Sequence, residues 1–161
     1  MHAHKGNRGF TLVEILIVVV ILGILAAIVI PQFSNASVSA KSSSLQSMLQ
    51  TIRGQLEMFQ LQHNGNYPTL DGTWAIFINK SGTSETGPGA GTGTTYGPYM
   101  QQPPQNPFVP VAVNTAVNAS WNGTTLPSTS ASAETYGWYY QASTGKIAAA
   151  GFVEATGLMI P

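Results

Sequence analysis

The segment from Phe10 to Ile30 is the feature that most restricts how this chain can fold. It contains one charged residue, Glu14, and otherwise consists almost entirely of Ile, Val, Leu and Ala. At about 1.5 Å per residue, a helix of this length spans roughly 30 Å, the thickness of the hydrocarbon core of a bilayer. A lone segment in lipid must satisfy its backbone hydrogen bonds internally, so we expect a transmembrane helix over residues 10–30.

The residues that precede this segment predict its orientation. Residues 1–9 are short, polar and basic, with Lys5 and Arg8, and the next basic residue is Lys41. The positive-inside rule therefore places the N-terminus in the cytoplasm. An ordinary signal anchor or a cleaved secretory signal is the alternative. Against it, the apolar run is longer than a signal-peptide core, contains a carboxylate and is followed by no small-x-small cleavage site.

The junction between the basic leader and the apolar segment carries a recognisable motif. It reads Gly9-Phe10-Thr11-Leu12-Val13-Glu14. This motif resembles the cleavage and methylation signature of type IV pilins and of type II secretion pseudopilins. The resemblance implies that a membrane peptidase cuts between Gly9 and Phe10 and removes the leader. It further implies that the new amino group of Phe10 is N-methylated and that the apolar segment is retained.

The presence of Glu14 in an apolar segment requires an explanation. Inserting a carboxylate at the centre of a bilayer costs about 2.5–3.5 kcal/mol, and inserting it near the interface costs less. A shallow position in the first helical turn, favoured by the helix dipole, explains why it is tolerated but not why it is present. After cleavage, the α-amine of Phe10 is a cation at nearly the same depth, about 6 Å away along the axis. Together with the resemblance, this favours an assembly salt bridge between Glu14 and the Phe10 amine of a neighbouring subunit.

Gly23 and Pro31 predict a kink in the long helix. Proline inside a helix lacks an N–H, and here its ring collides with the carbonyl of Ala27. Because the helical pattern continues after Pro31, we expect a kink within one element rather than its end.

Residues 31–63 are predicted to continue the helix in amphipathic form. Apolar side chains recur there at helical spacing: Leu45, Met48, Leu49, Ile52, Leu56 and Phe59. One stripe of this kind predicts packing on the domain's own core, although a zipper with a partner is conceivable. Gly65 is suited to the left-handed cap that ends the helix.

Residues 64–161 form a loop-rich region that completes the globular domain with residues 31–63. The apolar patch 74–78 is expected to pack on the long helix as a short helix or strand, and residues 79–107 to form a flexible surface loop. A β-hairpin is predicted near the C-terminus. Its parts are an aromatic strand (136–141), the turn Ser143-Thr144-Gly145 and a return strand (146–150).

The predicted fold class is therefore α+β and pilin-like. A long N-terminal transmembrane-plus-amphipathic helix is expected to pack on a small antiparallel β-sheet with extended loops. No cysteine is present, so no disulfide stabilises this domain.

The composition leaves little room for catalysis or for nucleic-acid binding. Without residues 1–9 the chain keeps one histidine, His63, and one aspartate, Asp71. A hydrolytic triad with one of the many serines is arithmetically possible, but the position of His63 at a helix end favours a solvated or capping role. The remaining chain has four basic and six acidic side chains, so we predict no nucleic-acid partner. With no cysteine and one histidine, we also expect no cofactor or metal cluster.

Two shorter stretches, Gly97-Pro98-Tyr99-Met100 and Asn106-Pro107-Phe108, resemble more loosely the corresponding parts of major pseudopilins. The resemblance implies a structural subunit, not an enzyme, that polymerises with itself and other pseudopilins into a type II secretion pseudopilus driving protein export. It implies three further partners: a prepilin peptidase/methyltransferase, an inner-membrane assembly platform and the lipid bilayer. The expected location is a single-pass inner-membrane protein with a periplasmic domain. The alternatives are a type IV pilus pilin, for adhesion, motility or DNA uptake, and a membrane-anchored enzyme or binding module.

The chain departs from this resemblance in one respect. Major pseudopilins bind calcium in a loop of the C-terminal half through aspartate carboxylates. This chain has no Asp or Glu from Thr86 to Ala133, and the remaining oxygen donors are neutral: Asn106, Asn114, Asn118, Ser120 and main-chain carbonyls. Calcium gains most of its affinity from charged ligands, so no tight site is expected. The loops are instead expected to be held by Pro-rich turns and by the packing of three aromatic residues, Tyr99, Phe108 and Trp121.

Overall fold

The computed structural model describes residues 9–84, 93–124, 135–153 and 158–159. The chain divides into two compact units, Met1–Ser39 and Ala40–Pro161. Its helices are α1 (Leu12–Gln62) and α2 (Ala75–Ile78). Its strands are β1 (Ser81–Gly82), β2 (Thr95–Tyr96), β3 (Val117–Asn118), β4 (Trp138–Gln141), β5 (Lys146–Ala149), β6 (Phe152–Val153) and β7 (Leu158–Met159).

In the first unit, α1 is apolar and exposed. Its most apolar 18-residue window has a mean hydropathy of 3.3, and none of that window is buried. By length and composition, α1 is therefore able to cross a membrane. The helix continues through Pro31, so the proline does not end it, as the sequence predicts. The kink at Gly23 and Pro31 remains a prediction.

In the second unit, one side of α1 forms the centre of the core. Five side chains on that side are at most 1% exposed: Leu45, Leu49, Ile52, Leu56 and Phe59. Met48 is only partly buried at the edge of the same cluster. Trp74 and Phe77, at α2, and Trp138 and Tyr140, on β4, complete this core. The predicted stripe is thus confirmed as the core-facing side of the helix, and the apolar patch at 74–78 forms a short helix.

Helix α1 ends with the cap expected from its sequence. Gly65 adopts a φ of 82°, a left-handed conformation that glycine adopts without steric cost. Its N–H donates to the Gln60 carbonyl at 2.9 Å, which satisfies one of the carbonyls left open at the helix end.

The C-terminal hairpin is present. Strands β4 and β5 pair antiparallel, from Trp138 opposite Ala149 to Gln141 opposite Lys146. Gly145 in the turn has a φ of 68°, and a Cβ at this position would collide with the ring of Tyr67. Both constraints require glycine at this position.

The α+β class is confirmed, and the main sheet is mixed rather than purely antiparallel. It has three strands in the order β3-β4-β5, with β3 parallel to β4. Parallel neighbours need a connection of a dozen or more residues, and residues 119–137 supply one. The length of that connection permits the parallel pairing.

The two faces of this sheet pack against different partners. Trp138 and Tyr140 point to α1, whereas Tyr139, between them in the alternation of a strand, packs with Val109 and Ala150. Val109, Val113 and Trp121 therefore cover the face of the sheet turned away from α1. The second unit has three layers, which are helix, sheet and loop.

The predicted flexible loop at 79–107 contains more order than expected. Strands β1 and β2 pair antiparallel within it, with Ser81 opposite Tyr96. Ser81 is only 2% exposed, and its hydroxyl lies 3.0 Å from the His63 ring, so the core fixes the base of the loop. The Gly-rich tip, from residue 85 to 92, lies outside the described residues.

Candidate assembly site

The start of α1 is built as a reciprocal cap between Thr11 and Glu14. The Thr11 main-chain N–H and hydroxyl both donate to Oε2 of Glu14, at 2.8 and 2.7 Å. The Glu14 N–H donates back to the Thr11 hydroxyl oxygen at 3.2 Å. This is the capping box, in which an N-cap threonine and the glutamate three residues later satisfy two otherwise open donors. Thr11 thus fixes the carboxylate in the first turn.

Sequence reasoning missed the part played by Thr11, although the signal was available. Thr11-Leu12-Val13-Glu14 fits the Ser/Thr-x-x-Glu pattern that announces a helix start. The structure also supports a shallow position for Glu14, since the residue belongs to the first turn of the helix. Glutamine also serves in this cap, and the carboxylate adds only the modest helix-dipole stabilisation, so capping alone does not account for a charge placed in lipid.

Gly9 and Phe10 lie just before the helix begins. Neither is helical, and the Phe10 side chain is 83% exposed. No atom lies within 4 Å of a Cβ built on Gly9, so no packing around it demands a glycine. An exposed, non-helical peptide bond is sterically suitable for a protease.

The arrangement brings together all the residues on which the assembly hypothesis depends. In the uncut chain the Phe10 nitrogen is part of a peptide bond and carries no charge, so the pairing with Glu14 remains a prediction. Both Thr11 donors bind the same carboxylate oxygen, Oε2, so Oε1 keeps its lone pairs for a further donor.

His63 is buried, so the predicted solvated role is wrong, whereas its ring does bind a carbonyl in the last turn of α1, as a capping role requires. Its side chain is 0% exposed and its ring stacks on Phe59, four residues earlier, at a centroid distance of 3.7 Å. Nδ1 lies 2.9 Å from the Phe59 carbonyl, which only accepts, so Nδ1 carries the hydrogen. Nε2 therefore accepts from the Ser81 hydroxyl, 3.0 Å away.

These contacts do not form a hydrolytic triad. Ser81 and His63 are at most 2% exposed, so a substrate has no access to the serine hydroxyl. A main-chain carbonyl, rather than Asp71, binds the imidazole nitrogen that a triad carboxylate would orient. Asp71 is itself exposed.

The neutral oxygen donors considered for calcium are engaged within the fold. Asn106 is 0% exposed, and its side-chain oxygen accepts the Phe108 N–H at 2.9 Å. The Asn114 carbonyl accepts the indole N–H of Trp138 at 3.0 Å, and the Asn118 side chain accepts the Ser120 N–H at 3.0 Å. Within the described residues, no group of three or more His, Asp or Glu is placed to hold a metal ion. Residues 86–92 and 125–133 of the acid-free span lie outside them.

The three aromatic residues expected to hold the loops are all partly buried and contact other rings. Tyr99 lies 5.3 Å from Phe59 between ring centroids, and Phe108 stacks on Phe152 at 5.9 Å. Trp121 meets Tyr139 edge to face at 6.3 Å, on the far side of the sheet. Desolvation, with a smaller contribution from Tyr96, raises the pKa of Tyr99 to about 12.

Comparison with known proteins places this site in a family. Residues 4–30 match the family described as "Prokaryotic N-terminal methylation motif". The type II secretion system core protein G of Dickeya chrysanthemi is 33% identical over 104 residues, which are 65% of each chain. The core protein G of Klebsiella michiganensis is 32% identical over 107 residues, 65% of this chain and 70% of the relative.

The chain belongs to the type II secretion system core protein G family. It spans about two thirds of the length of these two relatives, and the core protein G of Klebsiella pneumoniae is matched over 46% of its length. A relative of another kind is the major component of a narrow type IV pilus in Thermus thermophilus. It is 35% identical over 80 residues, which are 50% of this chain and 66% of that protein. No solved structure matches the chain significantly.

Proposed function

We propose that this core protein G family member polymerises into the pseudopilus of a type II secretion system and thereby drives protein export across the outer membrane. The observation that carries the proposal is the capped start of α1. An isolated carboxylate is fixed in the first turn of an exposed apolar helix, within the match to the methylation motif. Such a charge is costly in lipid unless a cation meets it, and a processed neighbour's Phe10 amine is such a cation.

In this proposal the first unit is the membrane anchor before assembly and the filament core afterwards. Its large apolar side chains between Leu12 and Ile30 are 39–82% exposed, a surface that water disfavours and that lipid or other apolar helices accept. The unit that starts at Ala40 has its own core and forms the outer part of the filament in the periplasm. A prepilin peptidase/methyltransferase processes the N-terminus, and an inner-membrane platform adds subunits. The subunit itself is not an enzyme.

The test is assembly and secretion in a host with a type II secretion system. Deleting the gene is expected to abolish export of the system's substrates, and restoring it to recover export. Overexpression is expected to yield filaments in negative-stain microscopy of the cells. If overexpression yields filaments but the deletion strain still secretes normally, the second candidate described next is favoured.

That second candidate is a type IV pilus subunit, which the match to the Thermus thermophilus pilus component favours. It shares the processing, the helix cap and the filament with the first candidate. Loss of adhesion, twitching or DNA uptake, with secretion intact, distinguishes it. A membrane-anchored enzyme or binding module would give no filaments.

A further inference from the structure

The outward side of α1 in the second unit is poor in charged groups for a surface helix. Five exposed residues on it form what we call the outer stripe: Ser47, Thr51, Gly54, Met58 and Leu61. Each lies two positions after a core residue of the same helix, which at about 100° per residue turns it to the opposite side. None is charged, whereas the outer face of a surface helix is normally charged or polar.

The side chains of the outer stripe present carbon rather than polar atoms. The Ser47 hydroxyl donates to the Ser43 carbonyl at 3.1 Å and the Thr51 hydroxyl to the Ser47 carbonyl at 3.0 Å, so both are satisfied within the helix. Nothing lies within 4 Å of a Cβ built on Gly54, which leaves a shallow gap along the stripe. Leu61 and Met58 beside it are 80% and 46% exposed.

A second exposed apolar feature lies in the loop layer, on the far side of the sheet. The Val113 N–H donates to the Pro110 carbonyl at 3.0 Å and closes a turn with Val111 and Ala112 at its tip. Val111 is 85% exposed, while Val109 and the segment behind it pack on Tyr139. This 110–112 turn is therefore a rigid apolar protrusion anchored in the second cluster of the core.

The outer stripe and the 110–112 turn lie on opposite faces of one unit, since the helix covers one face of the sheet and the loop segment the other. A contact between two different surfaces of identical subunits is heterologous, and when its rotation does not close it builds an open filament. Two outer stripes facing each other would instead close a dimer. Neither the stripe nor the turn contains a charged residue, and the exposed Glu57 borders the stripe beside Met58, where its carboxylate accepts from the Tyr67 hydroxyl.

We infer that, in the filament, the 110–112 turn of one subunit docks on the outer stripe of a second copy of this chain, with Val111 beside Gly54, Met58 and Leu61. The inference rests on the proposed polymerisation and adds a contact between the globular units to the one between the anchors. It also accounts for a solvent-facing helix surface without charges.

Cysteine cross-linking tests this contact in the full-length chain, which contains no cysteine of its own. Subunits with Leu61→Cys and subunits with Val111→Cys are co-expressed, and their filaments are treated with a short bismaleimide. Cross-linked dimers are expected only when both variants are present, and a ladder of higher species from the double variant. Asp71→Cys with Val111→Cys is the matched control, because Asp71 is exposed but lies on neither surface, and it is expected to give no cross-link.

The alternative outcomes separate a failure of the docking contact from a failure of the proposed function. Filaments that give no Leu61–Val111 cross-link overturn the docking contact and leave the proposed function standing. Dimers from Leu61→Cys alone show that outer stripes pair with each other, which also overturns it. An unmodified chain that forms no filaments overturns the proposed function, and the contact with it.

A second measurement uses the unmodified protein, so its result does not depend on whether the cysteine variants assemble. Oxidation of Met58 by peroxide is expected to be several-fold slower in filaments than in detergent-solubilised subunits. Met48, which packs against the domain's own core, is the internal reference and is expected to keep its rate. Equal rates for Met58 in the two states contradict the inference.

Discussion

Thr11 and Glu14 bind each other at the first turn of α1, with the glutamate Oε2 2.7 Å from the threonine hydroxyl and 2.8 Å from its N–H. The pair therefore combines helix initiation with positioning of the carboxylate. The threonine starts the helix directly after the cleavage site, and the same bonds hold the carboxylate in one place. A charge whose position is fixed is better prepared to meet a cation on a neighbouring subunit than one on a free side chain.

Three substitutions separate capping from charge pairing. Glu14→Gln keeps an oxygen for Thr11 but removes the charge, Glu14→Leu removes both, and Thr11→Ala removes the capping hydroxyl but keeps the charge and the main-chain donor. We expect normal membrane insertion for all three and no filaments from either Glu14 variant. Thr11→Ala should assemble with reduced yield, because loss of an N-cap costs about 1 kcal/mol. Microscopy of sheared filaments measures the outcome, and normal filaments from Glu14→Gln would contradict the pairing.

Processing is expected between Gly9 and Phe10. The intact mass of the membrane-extracted protein should lack residues 1–9 and include one added methyl group. Gly9→Val should leave the uncleaved precursor in the membrane with its domain folded, since nothing packs against Gly9. Gly54→Ala, at another glycine with free space around it, is the control and should be processed normally. A mature N-terminus near residue 35 would rule out this kind of processing.

The two sides of α1 are expected to differ in their contribution to stability. Residues 35–161 should form a soluble monomer, and in it Leu49→Ala should lower the free energy of unfolding by about 2–5 kcal/mol. Leu61→Ala, the same substitution at an 80% exposed site, should change it by less than about 0.5 kcal/mol. Urea unfolding followed by circular dichroism compares them. If the fragment forms stable helical oligomers, the stripe through Leu49 is an interface rather than a core.

Alkaline pH is expected to weaken the domain through buried tyrosines. The Tyr140 hydroxyl donates to the Pro68 carbonyl at 2.9 Å, and burial raises the pKa of Tyr140 above its ordinary value. Below about pH 10 the hydroxyl is neutral in both states. Above it the unfolded chain loses the proton first, so the free energy of unfolding falls as pH rises.

Tyr140→Phe provides the control for this pH dependence. It should cost about 1 kcal/mol at neutral pH, for the lost hydrogen bond, and show a shallower decline above pH 10. Thermal melts of the 35–161 fragment between neutral pH and pH 11 measure both effects. Parallel pH profiles for the two proteins would exclude Tyr140 as a contributor.

Calcium is expected to have little effect on the domain. The acid-free span from Thr86 to Ala133 offers no carboxylate, and Asn106 uses its side-chain oxygen for the Phe108 N–H. The melting temperature in millimolar calcium should therefore match that in chelator, since a bound ligand would raise it by mass action. A rise of many degrees would reveal a site formed by other oxygens.

Local patterns in the sequence predicted the local elements well. The spacing of apolar residues identified the buried side of α1, Gly65 its end, and the aromatic run before Gly145 the hairpin. The burial of His63 was not predicted, because its partner Ser81 comes from a segment that reads as a loop. The parallel pairing of β3 was missed for the same reason, since nothing within Val117–Asn118 indicates the direction of its partner.

Asn106 links parts of the chain that are far apart in sequence, which bears on how the domain folds. Its side-chain amide donates to the carbonyls of Gly137, 31 residues away at 2.8 Å, and of Ala150, 44 residues away at 2.9 Å. Contacts between distant residues form slowly, because a long loop must close before they contribute. The segment that precedes Val111 is therefore held by residues on both sides of the hairpin, and we expect it to become ordered together with the hairpin. If the proposed docking contact forms, a subunit whose C-terminal strands are unfolded would lack these hydrogen bonds behind the turn, and we expect it to add poorly to a filament.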